Sequence, residues 1–316
     1  MLRYLGRRLA YFLPVWLALT LLTFGLANLA PGDPAAEYLR RVLDTEPTPE
    51  QVARVRHEFG LDRPFPLSYA LWLGRALQGD LGRSYRNRAP VAPQLAERLP
   101  ATLQVAVPAA LLALAVALPL GALAASRPGS AFDHVSRVGA LLGASVPGFW
   151  LALLSITLFA VQLRLLPVAG RGGPEHVVLP CLTLAAGLAA VLTRLTRAGL
   201  LEALGEDYVR TARAKGLPAR AVVLRHALPN ALIGVVSALG VAFGHLLGGA
   251  AIVETIFAWP GLGKLALDSI YARDYPMLQG YVLVTGTVFL LVNLLVDLAY
   301  VHLDPRVRVG ARATGG

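Results

Sequence analysis

Apolar residues in this chain gather in long runs with few charges, and short polar stretches separate most of them. A bilayer helix needs roughly 20 mostly apolar residues. Six runs meet that length, at about 9–29, 101–125, 136–161, 177–196, 229–252 and 277–303. The fourth ends where Arg194 and Arg197 enter. The pattern predicts an all-α polytopic membrane protein with six transmembrane helices. Pro147 and Gly148 predict a kink in the third run, which neighbouring helices can accommodate. The same pattern divides the chain into an N-terminal anchor helix (1–30), a polar insert with short helices (31–98), a core of five transmembrane helices (99–304) and a tail (305–316).

The insert carries local signals of its own. Thr48-Pro49-Glu50-Gln51 fits a capping box with Pro at the first helical position. Val52, Val55 and Phe59 then share a helix face, and Gly60 suits its end. A second helix, about 67–78, carries Tyr69, Trp72 and Ala76 on one side, and Gly79-Asp80-Leu81-Gly82 turns after it. The insert is too small for an independent catalytic domain. It is expected to pack on the mouth of a pore as a gate or as a dock for a partner, with Tyr69 and Trp72 as its candidate contacts, or to shield span ends only.

Composition agrees with the pattern. Hydrophobic residues make up 56% of the chain, charged residues 15%, and the mean hydropathy is +0.59. Those values exclude a soluble enzyme or a disordered chain. The single cysteine, Cys181, excludes a disulfide framework and reads as a small apolar core residue.

Charge then sets an orientation. The net charge is +10, from 29 Lys+Arg against 19 Asp+Glu. Short loops rich in Lys and Arg stay inside. With the N-terminus inside, the inner segments hold 15 Lys+Arg, including Arg3, Arg7, Arg8, Arg127, Arg137, Arg306, Arg308 and Arg312. The short outer loops hold four: Arg164, Arg171, Lys264 and Arg273. Both termini are therefore expected in the cytoplasm and the insert outside. The first run follows Arg3, Arg7 and Arg8, yet it is too long for a signal peptide and is read as a retained anchor.

The loop 194–228 carries seven basic residues: Arg194, Arg197, Arg210, Arg213, Lys215, Arg220 and Arg225. Glu202, Glu206 and Asp207 fall early in a predicted helix, where negative charge suits the helix dipole. Gly216 can end that helix in the left-handed conformation, Pro218 fits the first turn of the next, and Pro229 opens the fifth span. Apolar Tyr208, Val209, Ala212 and Leu217 stand among the charges. The result is a short cytoplasmic elbow. It either docks in a groove of a cytoplasmic protein or lies on the membrane surface.

At these residues the chain resembles a known family. Asp207-Tyr-Val-Arg-Thr-Ala-Arg-Ala-Lys-Gly-Leu217, with Leu224-Arg-His-Ala-Leu-Pro-Asn230, is similar to the cytoplasmic loop of ABC importer permeases. That pattern is Glu-Ala-Ala, three residues, Gly, nine residues, Ile, one residue, Leu-Pro, and alignment on Gly216 places Leu228 and Pro229 correctly. Arg210 stands where the pattern has Glu, Thr211 where it has the first Ala, and His226 where it has Ile. These departures resemble the dipeptide, oligopeptide and nickel branch. Further blocks resemble the same branch in the same order. They are Leu5-Gly-Arg-Arg through Ala30-Pro-Gly-Asp-Pro34, Phe59-Gly-Leu-Asp-Arg-Pro64, Gly79-Asp-Leu-Gly-Arg-Ser-Tyr85, Glu97-Arg-Leu-Pro-Ala-Thr102, Glu254-Thr-Ile-Phe-Ala-Trp-Pro-Gly-Leu-Gly263 and Asp304-Pro-Arg306.

The resemblance implies the type I ABC importer permease fold, multi-pass in a bacterial or archaeal cytoplasmic membrane. It implies a heterodimer with a sister permease, two cytoplasmic ATPases that hold the ATP and Mg, and an extracytoplasmic substrate-binding protein. No cofactor is implied in this chain, and no nucleic acid among its partners. The coupling residues it implies are Asp207, Tyr208, Arg210, Thr211, Ala212, Arg213, Lys215, Gly216 and Leu217. It implies that the loop 253–276 forms a short outer helix dipping toward the pathway, with Phe257 and Trp259 as gate or dock. Trp259 is alternatively an interfacial aromatic. Similar permeases serve dipeptides, oligopeptides, glutathione, nickel chelates and sugars.

Catalytic chemistry is sparse. The nearest string to a phosphate loop, Trp259-Pro-Gly-Leu-Gly-Lys-Leu265, lacks the first glycine and the hydroxyl. His-Glu-x-x-His, Gly-x-Ser-x-Gly and metal-ligand spacings do not occur. Mid-membrane ionisable residues are few. His245 sits beside a row of Gly240, Gly244 and Gly248, and it either lines a substrate path or hydrogen-bonds a neighbouring helix. His245, Gly244, Gly248 and Glu254 are the candidate pathway residues. Asp297 reads as one half of an interfacial ion pair. Two competing readings remain, a gradient-driven carrier and a membrane-embedded hydrolase built from Ser145 or Ser155 with His245.

Overall fold

The computed structural model describes residues 2–29, 33–43 and 46–303. The tail 305–316, Asp304, and Ala30, Pro31 and Gly32 lie outside the described residues, as do the side chains of Arg3, Arg7 and Arg8. The described chain is all-α. Its helices are α1 (Leu2–Leu29), α2 (Pro34–Leu43), α3 (Pro49–Phe59), α4 (Phe65–Ala76), α5 (Val91–Ser126), α6 (Ala131–Ser145), α7 (Gly148–Ser155), α8 (Glu175–Gly205), α9 (Asp207–Ala214), α10 (Ala219–Ala221), α11 (Leu228–Ile256), α12 (Leu262–Tyr271) and α13 (Tyr275–Leu303). Wide π-helical turns extend α7 over Ile156–Gln162 and join α10 to α11 over Val222–Ala227.

Four helical stretches among the described residues are long and apolar enough to cross a membrane: Val91–Ser126, Glu175–Gly205, Ala219–Gly248 and Tyr275–Ala299. The third predicted run is broken more sharply than a kink, with α6 and the Gly148–Gln162 stretch bent by 98°. Pro147 has no N–H and disfavours the α conformation in the residue before it. Val146 and Pro147 are accordingly both extended, with ψ of 123° and 133°. In α1 the described apolar stretch is Ala10–Gly25.

The residues form two compact units. Among the described residues, one comprises 2–4, 102–260 and 289–303; the other comprises those within 5–101 together with 261–288.

The first unit is organised on α8. Its 31 residues span about 46 Å at 1.5 Å per residue, well beyond a hydrocarbon core of roughly 30 Å. Lipid tails are as apolar as leucine, so helices associate there through close packing of small residues. A Cβ added at Gly121 of α5 would lie 2.6 Å from Thr196 Cβ and 2.9 Å from the Thr193 carbonyl oxygen. Gly143 of α6 meets Ala190, and Gly199 meets Ala231 of α11. Ala109, Ala113 and Ala117 of α5 pack with Ala185 and Leu192 of α8 and Val235 of α11. The Thr183, Thr193 and Thr196 hydroxyls donate to carbonyls one turn back, which satisfies them inside the helix.

The second unit is built on aromatic packing. The Phe24 ring lies 5.5 Å from Phe65, 5.6 Å from Tyr69 and 5.5 Å from Trp72, centroid to centroid. The capping box forms: Gln51 N–H donates to Thr48 Oγ1 at 3.3 Å, and Thr48 N–H donates to Gln51 Oε1 at 2.8 Å. Gly60 closes α3 at φ 68°. Asp274, buried before α13, holds the loop after α4. Its carboxylate accepts from the Ser84 hydroxyl and, at 2.9 Å, from the Tyr85 N–H. Burial, then the nearby Asp274 carboxylate, pushes the Tyr85 phenol up to about 12, so it is neutral at physiological pH.

Two outcomes follow from this packing. Gly121→Ala forces α5 off α8 and is expected to cost about 1–3 kcal/mol, read as a lower melting temperature in nanodiscs. Gly139→Ala, where a Cβ meets nothing within 4 Å, should leave that temperature unchanged or raised. In the other unit, Asp274→Ala strips the buried Ser84 hydroxyl and the part-buried Tyr85 N–H of their acceptor, at roughly 1–3 kcal/mol for the buried group. Limited proteolysis between residues 77 and 90 should then accelerate.

Candidate coupling surface

The elbow after α8 is made by local sequence and then fixed by packing. Glu206 is extended, with φ −71° and ψ 152°, and its carbonyl accepts from Val209 at 3.1 Å and Arg210 at 3.2 Å, which starts α9. Glu202 lies in the last turns of α8, so only Glu206 and Asp207 stand at the start of the elbow helix. Gly216 ends it at φ 76°. The Gly216 N–H donates to Arg213 O at 2.9 Å and the Leu217 N–H to Ala212 O at 3.4 Å, the paired closure of a Schellman motif. Pro218 is extended and precedes α10, one position earlier than the first turn predicted for it.

Pro229 lies in the first turn of α11, yet the helical path begins at Ala219. A proline ring cannot donate to the carbonyl four residues back and collides with it. The wide turn before it absorbs that conflict, with the Leu228 N–H reaching Val223 O five residues back.

The helix has two faces. Val209 and Ala212 are buried against Leu200 and Ala203 of α8, Ala125 of α5, Val222 and Ala227 of the π turn, and Ala231 of α11. The Asn230 side chain donates to the Tyr208 hydroxyl at 2.8 Å, a second tie to α11. Asp207, Tyr208, Arg210, Thr211, Arg213, Lys215, Gly216 and Leu217 are exposed. Arg210 pairs with Asp207 at 3.2 Å across one turn, an exposed contact worth little to stability. The outward face therefore carries cations beside two exposed apolar side chains, Tyr208 and Leu217. A groove with acidic edges and an apolar floor suits such a face.

Sequence reasoning missed the ion pair that braces this end of α8. Asp133, fully buried at the start of α6, receives Arg197 bidentately, Nε to Oδ1 at 2.5 Å and Nη2 to Oδ2 at 2.8 Å. The Gly129 N–H donates to the same carboxylate at 3.0 Å, and Ser130 caps α6 through the Asp133 N–H. The local signal was Ser130 with an acid three residues on. Its arginine lies 64 residues away in sequence.

The other predicted residues do not gather into one site. Gly240 faces Val296 and Asn293 of α13, and Gly244 faces Phe289, so those glycines seat α13. Gly248 has nothing within 4 Å, and His245 is exposed. Glu254 is buried and accepts from the Thr102 hydroxyl at 2.6 Å. Phe257 and Trp259 are buried in their unit rather than displayed on its surface. The Gly170 N–H donates to Phe257 O at 2.8 Å, and the Arg171 guanidinium stands 5.9 Å from the Trp259 ring centre. Trp72 is buried and Tyr69 half-buried beside Phe24. The Ser145 and Ser155 hydroxyls donate to carbonyls of their own helix rather than to a histidine.

Comparison with known proteins gives the family. Residues 117–309 match the family described as the binding-protein-dependent transport system inner membrane component, and residues 1–106 match its N-terminal region. The chain is 40% identical to the dipeptide transport system permease protein DppB of Escherichia coli K12, covering 98% of this chain and 99% of that one. It is 36% identical to DppB of Alkalihalophilus pseudofirmus, over 98% and 100%. It is also 40% identical to the glutathione transport system permease protein GsiC of Escherichia coli K12, over 98% and 99%. Among solved structures, the inward-facing methionine ABC transporter MetNI shares the fold at 21% identity and TM-score 0.56, covering 66% of this chain and 96% of that one. These relationships set aside the gradient-driven carrier and the membrane hydrolase. The chain belongs to the binding-protein-dependent inner-membrane component family, as a non-catalytic ABC importer permease subunit of the dipeptide and oligopeptide branch.

Proposed function

We propose that this chain forms half of the translocation pathway of a peptide importer in a bacterial inner membrane. It pairs with a sister permease, receives peptides from an extracytoplasmic binding protein, and rests on two cytoplasmic ATPases that hold the ATP and Mg. It crosses the membrane six times with both termini in the cytoplasm and 31–98 outside. The carrying observation is the two-faced α9. Its inner face is packed into α8 and α11, and its outer face of Arg210, Arg213, Lys215, Tyr208 and Leu217 is open. Inserted in a cleft of an ATPase, it transmits ATPase closure to the spans as a displacement.

On α11, Val241, His245, Gly248, Ile252 and Thr255 are exposed at helical spacing. This stripe faces the sister permease across the pathway. Glu254, bound to Thr102, shapes the outer end of that path from within the unit. Phe257 and Trp259 hold the backbone that the binding protein meets instead of touching it themselves.

The test is reversal of the outer charges. Arg210→Glu with Arg213→Glu should strip the ATPases from the purified complex and abolish peptide uptake. The permease pair should survive with an unchanged melting temperature, because both side chains are exposed. Full retention of the ATPases by that variant would refute the docking role.

A further inference from the structure

The second unit contains a cavity of 760 Å³ that lies outside the coupling surface. That volume falls in the range of small-molecule sites, about 300–1,000 Å³. Its walls combine aromatic surface from Phe59, Trp72 and Tyr85 with an unusual set of charges.

Two of its five arginines are committed. Arg56 pairs with Asp33 at 3.1 Å. Arg88 pairs with Glu58 and stacks on the Tyr38 and Phe59 rings, 4.9 and 4.8 Å from their centres. The other three, Arg63, Arg75 and Arg83, have no carboxylate partner among the described residues; Arg83 donates only to the Arg88 carbonyl. One acid on the same wall is also unspent. Asp80 accepts the Gly82 N–H and meets no cation among the described residues. Trp72, which lines the cavity, keeps a buried indole N–H without a partner. An unsatisfied buried donor is costly in a structural wall.

We propose that this cavity binds a short zwitterionic peptide. The guanidinium forks of Arg63, Arg75 and Arg83 take its carboxylate, Asp80 takes its ammonium, and the aromatic walls take its side chains. Arginine suits planar carboxylate recognition. A bare phosphate or a lipid headgroup phosphate would leave Asp80 as a repulsive neighbour, which favours a ligand carrying both charges. The choice of a peptide rests on the import reading above; the charge arrangement does not.

The probe is trialanine, titrated into the full-length chain in phosphatidylcholine nanodiscs and followed by tryptophan fluorescence. A saturable change is expected, and Trp72→Phe should remove it. Arg63→Gln with Arg75→Gln, both exposed side chains, should weaken binding by at least about tenfold, near 1.4 kcal/mol. Arg54→Gln, an exposed arginine outside the cavity, should not weaken it. Trialanine amide and N-acetyl-trialanine should each lose at least about tenfold. The proposal falls if trialanine does not saturate, if the amide binds as well as the acid, or if inorganic phosphate or phosphatidylglycerol in the disc displaces the peptide at equal concentration. ATP-driven peptide uptake by the assembled transporter separates the two readings. Uptake without binding overturns the cavity alone, and binding without uptake of any peptide overturns the import reading alone.

Discussion

In a bilayer, burial of apolar surface does not by itself draw helices together, and this chain's membrane core rests on close approach of small residues instead. At Gly121 that constraint is firm, because the Thr193 carbonyl as well as the Thr196 side chain stands in the way of any larger residue. Gly143 on Ala190 and Gly199 on Ala231 repeat it on other sides of α8. Because α8 is fixed to α5, α6 and α11, it can run on past the hydrocarbon and still present a defined end.

That end carries the proposed coupling surface. A lone eight-residue helix is marginal in water, so α9 has to borrow its order from tertiary contacts. Val209 and Ala212 supply them on one side, and the Tyr208–Asn230 hydrogen bond supplies another. The bidentate Asp133–Arg197 pair anchors α8 just before the elbow. The two Arg197 bonds and the Gly129 N–H fix the Asp133 carboxylate in one orientation. The pair's use here is orientation: α6 and α8 cannot slide without exposing an unpaired charge. The exposed cations of α9 are thereby held on a stiff support.

Much of this was legible in the sequence, for identifiable reasons. Four of the six predicted runs coincide with helices long and apolar enough to cross a membrane, because hydropathy depends only on local composition. The Thr48–Gln51 box, Gly60, the Gly79–Gly82 turn and the Gly216 terminus are all short-range, and each formed where the residues indicated. What escaped was long-range or cumulative. The Asp133–Arg197, Thr102–Glu254 and Ser84–Asp274 contacts join residues 64, 152 and 190 positions apart. Pro147 announced a kink, but whether a proline bends a helix or breaks it by 98° depends on what its neighbours offer the freed carbonyls. The resemblance implies Phe257 and Trp259 as gate or dock, and no local pattern indicates that both side chains are buried within their unit. The cavity of the second unit draws on α3, α4, the following loop and α13, so no local pattern could reveal it.

The central claim is that α9 and the end of α8 move as one body. Spin labels at Arg213 and Leu195, both exposed, in a Cys181→Ser background of the assembled transporter, give the inter-label distance with and without trapped ATP. The account predicts one distance distribution in both states, while a label pair across the two permeases shifts. A change in the 195–213 distance larger than the spread of the labels would mean that the elbow swings on Gly205 and Glu206, and the rigid transmission described here would be wrong.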